Sequence, residues 1–174
     1  MIQTTTRPKP APAASHIRLK RVKLFSIDVD GVLTDGGMYY TEYGDELKRF
    51  NAHDGMAFEL LRKKGIKVGV ITSEKRDLNI RRARKLNLDF DFHDQKNKLL
   101  TIKALCSKEK ICMSEVAYIG DDINCYDLLS NVGFPACPDN AVARIKNIPN
   151  IILSLIHISE PTRPLYISYA VFGL

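Results

Sequence analysis

No run of about 18 apolar residues occurs in the 174-residue chain, which excludes a membrane-spanning helix. Cysteine is sparse. Cys106, Cys112, Cys125 and Cys137 form no CxxC pair, and no His/Cys cluster has zinc-site spacing. Free thiols in a reducing, cytoplasmic compartment are therefore expected. The first residues lack the apolar segment of a secretory signal. They also lack acids: residues 1–23 hold Arg7, Lys9, Arg18, Lys20, Arg21 and Lys23 but no Asp or Glu. An acid-free start also fits an organelle transit peptide, yet the three prolines between residues 8 and 12 spoil the amphipathic helix this requires. Beyond residue 23, 20 basic and 20 acidic residues balance. The net charge of +6 thus belongs to the leading arm and does not describe a folded surface for nucleic acid.

What is present suits one globular domain, with 45% hydrophobic and 26% charged residues. A core of that size forms without disulfide or metal staples. Residues 1–17, rich in Thr, Pro and Ala, read as a disordered lead-in. Order is expected from residue 18 to residue 153. Buried strands are predicted at 22–27, 66–72, 90–92, 116–119, 133–136 and 151–153, and a hairpin at 36–51. Helices are predicted at 55–64, capped by Asp54 and with Met56, Leu60 and Leu61 at helical spacing. Further helices fall at 75–86, at 97–107 with Leu99, Leu100, Ile102 and Leu105 inside, at 124–131 and at 140–147. Alternating strands and helices predict an α/β fold with a mostly parallel sheet. Residues 154–174, with Pro161 and Pro164, break the pattern and read as an atypical tail, docked or foreign.

Carboxylates gather where strands are predicted to end. Asp28 and Asp30 follow the first strand, and Asp121 and Asp122 follow the fourth. Ligands of open α/β sheets bind at the carboxyl ends of strands. Four carboxylates at one edge repel unless a cation sits among them, and oxygen donors select a hard ion such as Mg²⁺. Thr72 adds a hydroxyl at the end of the second strand, and Lys98 adds an ammonium at the start of a helix. A carboxylate nucleophile, a metal site, a hydroxyl and a cation together suit phosphoryl transfer.

Asp28-Val29-Asp30-Gly31-Val32-Leu33-Thr34-Asp35-Gly36 resembles the first motif of haloacid dehalogenase (HAD) superfamily phosphatases. Thr72 matches the second motif, Lys98 the third, and Gly120-Asp121-Asp122-Ile123-Asn124 the fourth. The DVDGVLTDG text, a short hairpin and GDELKRFNAHDG are similar to one branch of that superfamily. The branch comprises the 3-deoxy-D-manno-octulosonate (KDO) 8-phosphate phosphatases and the nine-carbon acylneuraminate or KDN 9-phosphate phosphatases, of lipopolysaccharide or sialic acid biosynthesis. The resemblance covers about residues 20–152. It implies a Rossmann-like HAD fold with a small hairpin flap and no large cap domain. It also implies a Mg²⁺-dependent phosphatase acting through an aspartyl-phosphate, and a homotetramer whose hairpins cover neighbouring sites.

Carried over by that resemblance, Asp28 is the nucleophile and Asp30 the general acid/base. The metal binds Asp28, the Asp30 carbonyl and Asp121, while Thr72 and Lys98 hold the phosphoryl oxygens. Because Asp30 must start protonated, burial or an anionic neighbour is expected to raise its pKa. Glu74 and Lys85 resemble the nine-carbon pattern of substrate residues. Two departures stand out. Cys125 occupies a place where the family usually has Asp, with Asp122 or Asp127 as candidates to compensate. After Leu153 nothing matches the family's Gly-rich, Arg-containing tail. The competing readings are a weakly or non-catalytic HAD-like domain with an assembly role beside an acylneuraminate cytidylyltransferase, and a receiver-like phosphoacceptor module.

Overall fold

Strand β1 (Leu24–Ile27) is buried at all four positions and lies between two parallel neighbours, β4 (Lys67–Ile71) and β6 (Val116–Ile119). The computed structural model describes residues 21–148 and the backbone of 151–153. Six strands form a sheet in the order β5-β4-β1-β6-β7-β8, with β5 at Phe90–Phe92, β7 at Phe134–Pro138 and β8 at Ile151–Leu153. Every pairing is parallel. The chain runs outward from β1 through β4 to β5, then returns to β6 on the other side, so the topological switch lies between β1 and β6. A cleft at the carboxyl ends of those two strands is where such sheets bind ligands.

Side-chain alternation explains the layers. Phe25, Ile27, Val68, Val70, Ala117 and Ile119 point to one face, where they meet Phe58 and Leu61 of α1 (His53–Lys63) and Ala83 of α2 (Asp77–Lys85). Leu24, Ile71, Val116 and Tyr118 point to the other. There they pack on Ile102 and Cys106 of α3 (Lys98–Glu109), Leu128 and Leu129 of α4 (Tyr126–Leu129) and Ile145 of α5 (Ala143–Lys146).

Several expectations need correction. Asp54 is not the cap of α1: the helix begins at His53 with Ala52 before it, and Asp54 is buried in the first turn. Met56 is exposed, and the inward stripe of α1 is Asp54, Ala57, Phe58 and Leu61. Leu100 likewise faces outward, while Lys98, Ile102 and Cys106 form the buried line of α3. The segment at 124–131 is a 3-10 turn over Ile123–Cys125 followed by the single-turn α4. Only four hairpin residues pair as strand, β2 (Tyr39–Tyr40) against β3 (Glu46–Leu47), with a bridge from Thr34 to Phe50 at its base. The lead-in over 1–17 and the tail over 154–174 lie outside the described residues.

Candidate active site

The backbone after β1 turns sharply. The N–H groups of Leu33 and Thr34 donate to the Val29 carbonyl at 2.8 and 3.1 Å. The buried Thr34 hydroxyl accepts from Gly31 N and Gly36 N, both at 3.3 Å. This turn presents Asp28 and Asp30 at the strand end. Gly31 sits at φ +73°, and a Cβ there would stand 1.9 Å from an Asp121 carboxylate oxygen. Glycine is thus required both by backbone conformation and by the approach of β6's carboxylate.

Asp28 is 4% exposed. Its Oδ1 accepts from Val29 N at 2.8 Å. Its Oδ2 accepts from the Lys98 ammonium and from the Cys125 thiol, the latter at 3.0 Å. Lys98 arrives from the first position of α3, fixed there because the Asn97 side chain caps the helix by accepting from Leu100 N at 3.0 Å. Burial works against the Lys98 charge, but Asp28 and Cys125 outweigh it and hold the pKa above the usual lysine value. An ion pair this buried persists only when both charges are satisfied.

Cys125 is fully buried and wired in on every side. Its sulfur accepts from the Tyr118 hydroxyl at 3.1 Å and lies 3.4 Å from Lys98 Nζ and 3.1 Å from Asn124 Oδ1. Burial and the Asp28 charge push its pKa up to about 12. Gly120 makes room: a Cβ there would be 2.6 Å from the Cys125 Cβ. One ligand atom from each of Asp28, Asp121 and Cys125 lies within 4.8 Å of the others. Burial, with the Asp28 charge second, raises Asp121 to a pKa of about 7. A site that makes the Asp121 carboxylate hard to ionise suits a divalent cation, and two carboxylates are hard donors of the kind Mg²⁺ takes. Neither expected substitute for Cys125 reaches this cluster. Asp122 is exposed and accepts from its neighbour Ile123 N at 2.7 Å, and Asp127 is exposed on α4. The thiol itself fills the place.

Asp30 lies on the flap side of Asp28. The Lys48 ammonium donates to Asp30 Oδ1 and to Glu74 Oε2, both at 2.7 Å, from a side chain with no exposed surface. Burial raises the Asp30 pKa; Lys48 opposes this, Glu74 and Asp28 add to it, and the net shift is upward. Glu74 is held low, chiefly by its hydrogen bond from Lys48. Nothing in the sequence singles out Lys48, which stands beside Arg49 in the hairpin segment, because its partners Asp30 and Glu74 are 18 and 26 residues away. Thr72, 2% exposed, accepts from Glu74 N at 3.2 Å, which leaves its hydroxyl proton to donate. Asp28, Asp30, Thr72, Glu74, Lys98 and Asp121 thus collect at one edge. Lys85 does not join them: it is exposed at the far end of α2.

A family described as haloacid dehalogenase-like hydrolase matches residues 71–155. The 3-deoxy-D-manno-octulosonate 8-phosphate phosphatase of Salmonella typhi is 36% identical over 124 residues, 70% of this chain and 66% of that protein. The chain therefore spans just under two thirds of that relative's length. A Moraxella catarrhalis 3-deoxy-D-manno-octulosonate 8-phosphate phosphatase, solved with magnesium, phosphate and KDO, superposes with a TM-score of 0.78 at 31% identity, over 81% of each chain. A hypothetical protein from Xanthomonas campestris superposes with a TM-score of 0.84 at 31% identity, over 96% of this chain and 94% of that one. By fold, by the order of its strand-end residues and by these relatives, the chain belongs to the haloacid dehalogenase-like hydrolases, in the branch that holds the 3-deoxy-D-manno-octulosonate 8-phosphate phosphatases.

Proposed function

We propose that this protein is a Mg²⁺-dependent phosphatase of a 2-keto-3-deoxy sugar-acid phosphate, with KDO 8-phosphate as its substrate. The observation that carries the reading is the buried Asp28–Lys98 pair beside Asp121 at the switch between β1 and β6. Asp28 would attack phosphorus through a carboxylate oxygen. The bond from phosphorus to the sugar oxygen breaks, and Asp30 delivers its proton to that oxygen. Asp30 then takes a proton from water, whose oxygen displaces the Asp28 carboxylate and releases phosphate. Lys98 and Thr72 neutralise and orient the phosphoryl oxygens. Asp28, the Asp30 carbonyl and Asp121 would hold the Mg²⁺, which supplies charge for the transferred group.

Glu74 keeps a nine-carbon acylneuraminate or KDN 9-phosphate as the second reading, since Lys48 places its carboxylate beside Asp30. The exposed flap residues Tyr39, Tyr40, Tyr43 and Leu47 favour assembly of copies, in keeping with the expected homotetramer. Phosphate release from KDO 8-phosphate, KDN 9-phosphate and a hexose 6-phosphate tests the reading. Efficient turnover of one sugar acid, lost in Asp28→Asn, is expected. Turnover of none would leave the weakly catalytic assembly domain, and equal turnover of all three would remove the sugar-acid specificity.

A further inference from the structure

We infer that Cys125 gives the divalent site of this chain a thiolate donor, so that besides Mg²⁺ it takes thiophilic ions such as Zn²⁺ and Co²⁺ as a mixed carboxylate–thiolate site. The inference rests on the cation site of the proposed function and not on its substrate.

The donor atoms of Asp28, Asp121 and Cys125 lie within 4.8 Å of one another. Zinc takes oxygen at about 2.0–2.2 Å and sulfur at about 2.3 Å, so tetrahedral donors stand about 3.5 Å apart. Small side-chain movements bring all three atoms to one ion. The thiol cannot turn away easily: it is fully buried, Tyr118 holds it from one side, and Gly120 packs against it from another. No other carboxylate competes for that coordination position, because Asp122 and Asp127 are exposed.

Charge completes the argument. Two carboxylates and a thiolate carry three negative charges, which one divalent ion and the Lys98 ammonium, 3.4 Å from the sulfur, balance. On binding, the S–H bond breaks, an S–metal bond forms, and the proton leaves to solvent; nothing is oxidised. Mg²⁺ prefers an octahedron of oxygens and gains little from sulfur, whereas Zn²⁺ and Co²⁺ accept thiolate readily.

The test uses the purified full chain stripped of metal and titrated with Co²⁺ alone. Wild type is expected to develop a thiolate-to-cobalt charge-transfer absorption in the near ultraviolet. Cys125→Ser and Cys125→Ala should lose it, while Cys112→Ser, which removes the exposed cysteine, should keep it. Calorimetry should find Zn²⁺ affinity about tenfold or more weaker in Cys125→Ser, the low end of the loss expected for a group at a metal site, with Mg²⁺ affinity little changed. Absence of the band in wild type, or its survival in both Cys125 variants, would overturn the inference. Should both variants fail to fold by circular dichroism, cadmium NMR of wild type decides: a sulfur-ligated resonance supports the site and an all-oxygen resonance refutes it. An intact band without phosphate release sinks the substrate reading alone; release without the band sinks this inference alone.

Discussion

Lys48, rooted at the base of the flap, places its ammonium 2.7 Å from the Asp30 carboxylate. The same nitrogen holds Glu74, so the flap is tied to the floor of the site by one side chain. Lys48 lowers the Asp30 pKa against burial, so Lys48→Met should raise it further. The limb of the pH–rate profile governed by Asp30 should then move to higher pH, and kcat should fall about tenfold, part of the 10²–10⁴-fold that positioned acid/base catalysis supplies. Lys48→Arg should restore most of the rate. An unmoved limb in the Met variant would detach Lys48 from Asp30 function.

Asp28→Asn should abolish turnover, and it should also destabilise the fold, because it leaves the buried Lys98 ammonium without its carboxylate. Breaking such a pair costs about 3–5 kcal/mol. The double variant Asp28→Asn, Lys98→Met should recover part of that loss in a denaturant titration while staying inactive. A single variant as stable as wild type would mean the pair contributes little.

Asp30→Asn should bind substrate but stall protonation of the sugar oxygen. Steady-state kinetics should therefore find kcat collapsed with KM changed much less. Full activity would remove Asp30 from the proton-transfer role.

Stability of the metal-free protein should fall as pH rises from about 4 toward 7. The folded Asp121 has a pKa of about 7 against an ordinary 3.8, so the folded state binds the extra proton between those values. Its contribution is full below the ordinary value and is lost as pH passes through the raised one. Thermal melts across that window should show the decline, and Asp121→Asn or bound divalent ion should flatten it.

Gly31→Ala should damage the site more than the core. The new Cβ would demand φ +73° of an alanine and strike the Asp121 carboxylate. Metal affinity and turnover should drop together, which calorimetry and phosphate release would measure. Unchanged metal binding would show that the turn can yield.

Much of this protein is legible in its sequence because its strands are short apolar runs that stop at chemistry-bearing residues. Ser26–Asp28, Ile71–Thr72 and Ile119–Asp121 each read as strand then site, and a parallel sheet places such ends side by side for topological reasons. Helix interiors were less legible. Met56 and Leu100 look like core residues, but the direction of each stripe depends on which sheet face the helix packs against. Contacts between distant segments escaped the sequence altogether. The Lys48–Asp30–Glu74 bridge joins three separate loops. Cys125 read as a missing carboxylate, whereas packing of Tyr118, Gly120 and Lys98 around it makes it a buried thiol bonded to Asp28. Local residue patterns set strands, turns and the order of the strand-end residues; only tertiary structure decided which cation meets which acid, since those choices depend on burial and on distances that sequence separation does not encode.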